Sequence, residues 1–129
     1  MVKRFGFGRK EKLKSRKVIE NLFENGRSFS IFPIRVSYLF IPSDKDQLLQ
    51  VGVSAGKKYF KRAVDRNRIK RLIREAYRLQ KEELFSAMKQ HQVSGFAFFI
   101  YTGKTIAPFQ EIKDAMQQCL KRLQQKIKD

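Results

Sequence analysis

The sequence predicts an α/β (α+β) two-layer sandwich: a four-stranded sheet with helices on one face, in the order α-β-β-β-α-β-α. Three observations carry this. Residues 28–41 are rich in β-branched and aromatic types and alternate in part, and further strand-like runs lie at 48–54 and 96–101. Apolar residues recur at helical spacing around residues 18–23, 69–76 and 112–127. The two kinds of segment interleave along 129 residues, a length that suits one domain spanning 1–129.

Residues 1–14 have no apolar period and read as a flexible basic arm. Ser15 suits the N-cap of a short helix ending near Gly26, with Val18, Ile19, Leu22 and Phe23 along one face. In the following stretch Ile34, Val36 and Tyr38 alternate with Arg35 and Ser37; Pro33, which has no N–H for a ladder, marks a strand start, a bulge or an edge. Pro42-Ser43-Asp44-Lys45-Asp46 is turn chemistry, and Leu48 to Ser54 is expected to return as the antiparallel partner. Residues 62–80 form a helix with Ile69, Leu72, Ile73 and Ala76 on one arc. Its opposite face carries Asn67, Lys70, Arg71, Arg74 and Arg78, with Arg68 at the margin, and Asp65 in the first turn suits the macrodipole. His91 is expected to be an exposed linker residue. Phe96 to Tyr101 is nearly continuously apolar, as a buried interior strand would be. After Gly103 and Pro108 the last helix has the stripe Ile112, Ala115, Met116, Cys119, Leu120, Leu123 and Ile127.

Composition removes several function classes. An apolar share of 42% with 12 Phe is enough for a buried core. No apolar run approaches the roughly 20 residues of a membrane span, and the basic N-terminus leads into no h-region, so a cytoplasmic protein without membrane association is expected. One Cys cannot close an internal disulfide and one His cannot anchor a His-based metal site, so no metal site on the polypeptide is expected. No catalytic residue is proposed either, because there is no histidine pair and the 12 acids suggest no paired-carboxylate site.

What remains is charge. The formal net charge is +17, which invites a polyanion, with nucleic acid the leading candidate. Residues 1–17 hold eight basic side chains against one acid, and residues 57–78 hold ten against two. A charge serving only solubility would be spread more evenly.

The run from Val51 to Arg78, with Lys57-Lys58, Arg66-Asn67-Arg68 and the continuation Ile69-Lys70-Arg71, then Arg74-Glu75-Ala76, resembles the bacterial ribonuclease P protein component, whose signature is this RNR motif. The basic arm, Lys12-Leu13-Lys14, Phe23 and Gly26-Arg27-Ser28 resemble the family as well, so the likeness covers nearly the whole chain. The resemblance implies a left-handed βαβ crossover carrying the motif helix. It implies that catalysis belongs to an RNA subunit that binds Mg²⁺ and releases the 5′ leader of precursor tRNA. The partners implied are that catalytic RNA and precursor tRNA, with no obligatory protein partner. Arg66, Asn67, Arg68, Lys70, Arg71, Arg74 and Arg78 would dock on the RNA subunit. Ile19, Phe23, Arg35, Ser37, Lys57, Lys58 and Tyr101 would line a leader cleft, with arm contacts from Lys12, Lys14 and Arg16.

Blander readings stand beside these. The basic helix face could be solvated, although few acids lie within i±4 reach to relieve its repulsion. Phe23 and Ile19 fit either the core or a cleft wall that stacks on single-stranded RNA. A ribosomal or general structured-RNA-binding protein would share the charge but would not need the Arg-Asn-Arg helix after a Lys-Lys strand end. A helix-turn-helix DNA binder would need a helix, not strands, just ahead of the basic helix. The chain also departs from the family: Ile19 and Ser37 stand where aromatics are usual, Tyr59-Phe60-Lys61-Arg62 replaces a shorter Gly-containing link, and the basic residue at the end of the last strand is replaced by Tyr101 or displaced to Lys104.

Overall fold

The computed structural model describes residues 15–43 and 49–128; the predicted basic arm and most of the turn after Pro42 lie outside them. The elements are α1 (Arg16–Asn25), β1 (Arg27–Ile31), β2 (Ile34–Pro42), β3 (Leu49–Ala55), α2 (Ala63–Gln80), α3 (Glu82–His91), β4 (Val93–Tyr101) and α4 (Phe109–Lys128). The predicted order holds, with α3 added between the motif helix and the last strand. The signals for α3 are in the sequence: Glu82 and Glu83 in its first turn, Lys89 and His91 in its last. His91 therefore ends a helix, though it is exposed as expected.

The sheet order is β1-β2-β4-β3. The predicted strand at 28–41 is a hairpin, turning at Phe32-Pro33, whose arms pair antiparallel from Arg27↔Tyr38 to Ile31↔Ile34. The expectation that residues 48–54 pair antiparallel with this segment is wrong. β2 pairs antiparallel with β4 over its full length, Ile34↔Tyr101 to Pro42↔Val93, and β3 runs parallel to β4 at the far edge. Both β2 and β4 have nine residues, so pairing them satisfies the longest ladder available. β3 and β4, joined through α2 and α3, form the βαβ unit of the fold.

Alternation sorts the two faces. Ile34, Val36 and Tyr38 of β2, Leu49 and Val51 of β3, and Ala97, Phe99 and Tyr101 of β4 point into the core with Ile69, Ile73, Ala76 and Tyr77 of α2 and the α4 stripe from Ile112 to Leu123. Helices α2, α3 and α4 cover this face, as the sandwich requires. Helix α1 is the correction to the one-faced arrangement. It packs on β2 from the opposite side, where Phe23 meets Phe98, the neighbour of core-facing Phe99. Leu22 is its one fully buried residue and stands apart from the main core.

Local chemistry sets the helix ends. The Ser15 hydroxyl accepts from the Val18 N–H, and the Gly26 N–H closes α1 on the Leu22 carbonyl at 2.8 Å. Gly26 is extended, not left-handed. It is needed because a Cβ there would lie 2.4 Å from the Leu22 carbonyl oxygen and 2.8 Å from that of Tyr38. Lys81 bends the chain between α2 and α3; it is buried, with Nζ 5.8 Å from the Tyr77 ring centre and 5.4 Å from that of Phe85.

Candidate nucleic-acid interface

The sheet face not covered by α2–α4 is built by register. Arg35, Ser37 and Leu39 of β2 lie beside Ile100, Phe98 and Phe96 of β4, and these beside Ser54, Gly52 and Gln50 of β3. Arg35 and Ser37 on one side and Ser54 and Gln50 on the other thus flank an apolar stripe. Helix α1 borders this face and sets Phe23 on Phe98, ring centres 5.4 Å apart and planes at 66°. Phe23 remains 50% exposed, so it is a surface residue and not part of the core. Ile19, one turn earlier on the same helix, is half-buried. Arg35 is exposed and Ser37 is buried beside Phe98 on the same sheet face, so of the predicted set Phe23 and Arg35 stand open there, with Ile19 on the same side of α1 as Phe23.

Sequence reasoning missed Phe98 and Ile100. Their run is apolar at nearly every position, and nothing in composition tells which of its two faces a helix will cover. Only the half-exposure of the even positions of β4 reveals it.

Tyr101 is the site residue that the structure moves elsewhere. An odd position on β4 points it to the covered face, where it is 5% exposed. Its ring meets Phe60 at 5.9 Å. Its hydroxyl donates to the Thr105 carbonyl at 2.6 Å and accepts from the Ala107 N–H at 2.9 Å. Burial, foremost, pushes its phenol above the ordinary tyrosine range. A Cβ on Gly103 would lie 2.9 Å from the Tyr101 ring, so the loop folds tightly over it. Tyr101 is a hub that joins the segment before α2 to the loop before α4, and it does not line the cleft.

The second surface is α2. Asn67, Arg68, Arg71 and Arg74 are exposed and Lys70 is partly so, on the side away from Ile69, Ile73 and Ala76. No carboxylate lies within ion-pair distance of Arg68, Arg71 or Arg74 among the described residues, so this stripe carries net positive charge into solvent. The ends of the predicted set differ. Arg78 donates through Nε to Glu75 at 3.0 Å and holds the Glu75 carboxyl below its usual range. Arg66 turns back and donates from Nη1 to the carbonyls of Phe60 and Lys61, each at 2.8 Å. That interaction anchors the approach to a helix whose N-cap, Arg62, makes no side-chain cap.

Lys57 and Lys58 lie exposed between β3 and α2. Arg16 is exposed in the first turn of α1, and Lys12 and Lys14 lie outside the described residues. Among the described residues no three His, Cys, Asp or Glu side chains come together as a metal-binding group.

A family model described as Ribonuclease P matches residues 7–124. The chain is 36% identical, over 92% of its length and 87% of the relative's, to the ribonuclease P protein component of Porphyromonas gingivalis. It is 30% identical to that of Clostridioides difficile, over 90% of this chain and 94% of that one. The fold is that of the ribonuclease P protein from Thermotoga maritima (TM-score 0.66, 22% identity, 87% of this chain and 96% of that one) and of the Staphylococcus aureus protein (TM-score 0.65, 21% identity, 87% and 94%). A basic motif helix, an open sheet face bordered by an aromatic helix, and relatives matching nearly end to end agree: the chain belongs to the ribonuclease P protein family.

Proposed function

We propose that this chain is the protein subunit of a ribonucleoprotein endoribonuclease that removes the 5′ leader of precursor tRNA. In this reading the exposed stripe of α2 docks on a catalytic RNA, and the open sheet face holds the single-stranded leader. The observation that carries it is the half-exposed Phe23 ring set on Phe98, on a sheet face that also presents Arg35. An aromatic pair open to solvent beside a cation suits unpaired bases and their backbone. The α2 stripe lies on the other side of the fold, so the two RNAs would be held on separate surfaces.

Hydrolysis of the phosphodiester is assigned to the RNA subunit, with Mg²⁺ held mainly there. This chain's contribution is to bind and orient. Support comes from its donor set: the side chains on both surfaces are cations, amides, hydroxyls and aromatics, which suit phosphates, sugars and bases. The test adds the protein to bacterial ribonuclease P RNA at low Mg²⁺ with a leader-bearing precursor. Stimulated release of the leader is expected. Binding to RNA without any stimulation would point instead to a general structured-RNA-binding protein.

A further inference from the structure

Tyr59 has no evident part in the fold. Its neighbour Phe60 turns inward, buried against Tyr101, whereas the Tyr59 ring is 46% exposed. Two ammonium groups stand by that ring: Lys58 Nζ at 5.4 Å from its centre and Lys104 Nζ at 5.7 Å. Lys104 comes from the loop before α4, so the grouping spans two separate parts of the chain. No carboxylate pairs with either lysine among the described residues. The backbone next to Tyr59 is also held in place. Arg66 grips the Phe60 and Lys61 carbonyls, and Tyr101 binds Phe60 with its ring and the Lys104 loop with its hydroxyl.

The segment that carries Tyr59 leaves from one end of the open face. Ser37, Phe98 and Gly52 form one row across β2, β4 and β3, beside Phe23; two residues on, about 6.6 Å away, Arg35, Ile100 and Ser54 form the next. Past Ser54 the chain leaves the sheet through Ala55 and Gly56 to Lys57, Lys58 and Tyr59. A single strand crossing these rows would leave the sheet at the end from which this segment emerges. We infer that Tyr59 is a stacking platform for an unpaired base of the 5′ leader, with Lys58 and Lys104 moving to the phosphates on either side. The inference rests on the leader reading proposed above. The chemistry is general: an aromatic face accepts any base, and lysine, a point charge on a flexible stem, follows a backbone phosphate.

The chain has no tryptophan, so Tyr59→Trp places a sole indole on the platform. In the complex reconstituted with ribonuclease P RNA, its fluorescence should be quenched by a leader-bearing precursor and not by the same tRNA without a leader. Tyr59→Leu should weaken leader-bearing precursor roughly 5- to 150-fold, leave the leaderless tRNA unaffected, and be rescued by Tyr59→Phe. Quenching by the RNA subunit alone, or equal loss for both tRNAs, would overturn the assignment to the leader. No quenching together with unchanged affinity would remove the platform altogether. The wild-type chain separates the two levels: if it fails to stimulate leader release the underlying reading falls, whereas if it stimulates and the Tyr59 variants are silent only the platform falls.

Discussion

Replacing Tyr101 by Phe tests the hub directly, because it deletes one oxygen and keeps the ring on Phe60. Two hydrogen bonds are lost, the one donated to Thr105 and the one accepted from Ala107. Each is worth about 0.5–1.5 kcal/mol net. Thr105 is exposed, so its carbonyl turns to water at little cost, while the half-buried Ala107 N–H recovers less. The loss should be about 1–2 kcal/mol, several degrees in Tm for a chain of this size. Urea unfolding followed by circular dichroism reads it as a lower midpoint with an unchanged slope. The wild type should carry an alkaline signature as well. A phenol whose pKa is raised in the folded state contributes fully below the unfolded value of about 10 and loses that contribution as pH rises through the folded value. Tyr101→Phe should abolish that part of the pH dependence. An unchanged midpoint with a large loss of precursor affinity would refute the hub and return the hydroxyl to the cleft.

Phe23→Ala should cost about 1–3 kcal/mol of stability, the worth of an edge-to-face pair plus the burial of half a ring, while lowering affinity for leader-bearing precursor; a loss at the upper end of the roughly 3–5 kcal/mol of a buried Phe in thermal unfolding would mark Phe23 as core instead. Arg68→Ala and Arg71→Ala should each reduce the salt dependence of RNA-subunit binding by up to about one unit of slope and leave unfolding unchanged, as filter binding over a salt series would show. The Cys119 thiol, pushed up to about 12 by burial, should alkylate on the order of a thousandfold more slowly than the unfolded chain at pH 8, and labelling at equal rates would contradict its place in the α4 core stripe.

Periodicity made the helices legible because each buries one stripe. Ile69, Ile73 and Ala76 on α2, and Ile112 to Leu123 on α4, lie where the spacing puts them. The alternation of Ile34, Val36 and Tyr38 against Arg35 and Ser37 likewise survives in β2. What sequence could not supply was pairing. The partner of β3 depends on which strands have matching lengths and a crossover between them, a property of the whole chain. That pairing decides the cleft: Phe98 becomes a surface residue and Tyr101 a core one because of a single step along β4. Resemblance carried over position by position erred at Tyr101 for the same reason. A basic residue at a strand end can snorkel toward RNA from either face, whereas a tyrosine at the same place was drawn inward by Phe60 and two backbone partners.

The Arg66-Asn67-Arg68 triplet looks like one recognition unit in sequence, but a helix turns about 100° per residue, so its two arginines point some 200° apart. In this structure they make different contacts. Arg68 joins Arg71 in the exposed stripe, while Arg66 reaches back to the carbonyls of Phe60 and Lys61. The motif therefore links the two surfaces of the protein. Its outward members present charge from α2, and its inward member fixes the segment that carries Phe60 into the Tyr101 hub and holds Tyr59 outside it. A helix docked on RNA through Arg68 and Arg71 would thereby also hold the start of its own loop in register with the sheet end, where Arg35, Ile100 and Ser54 lie. The loop's position depends on packing and on two carbonyls, so the motif's first arginine supports the fold while its second presents its charge to solvent.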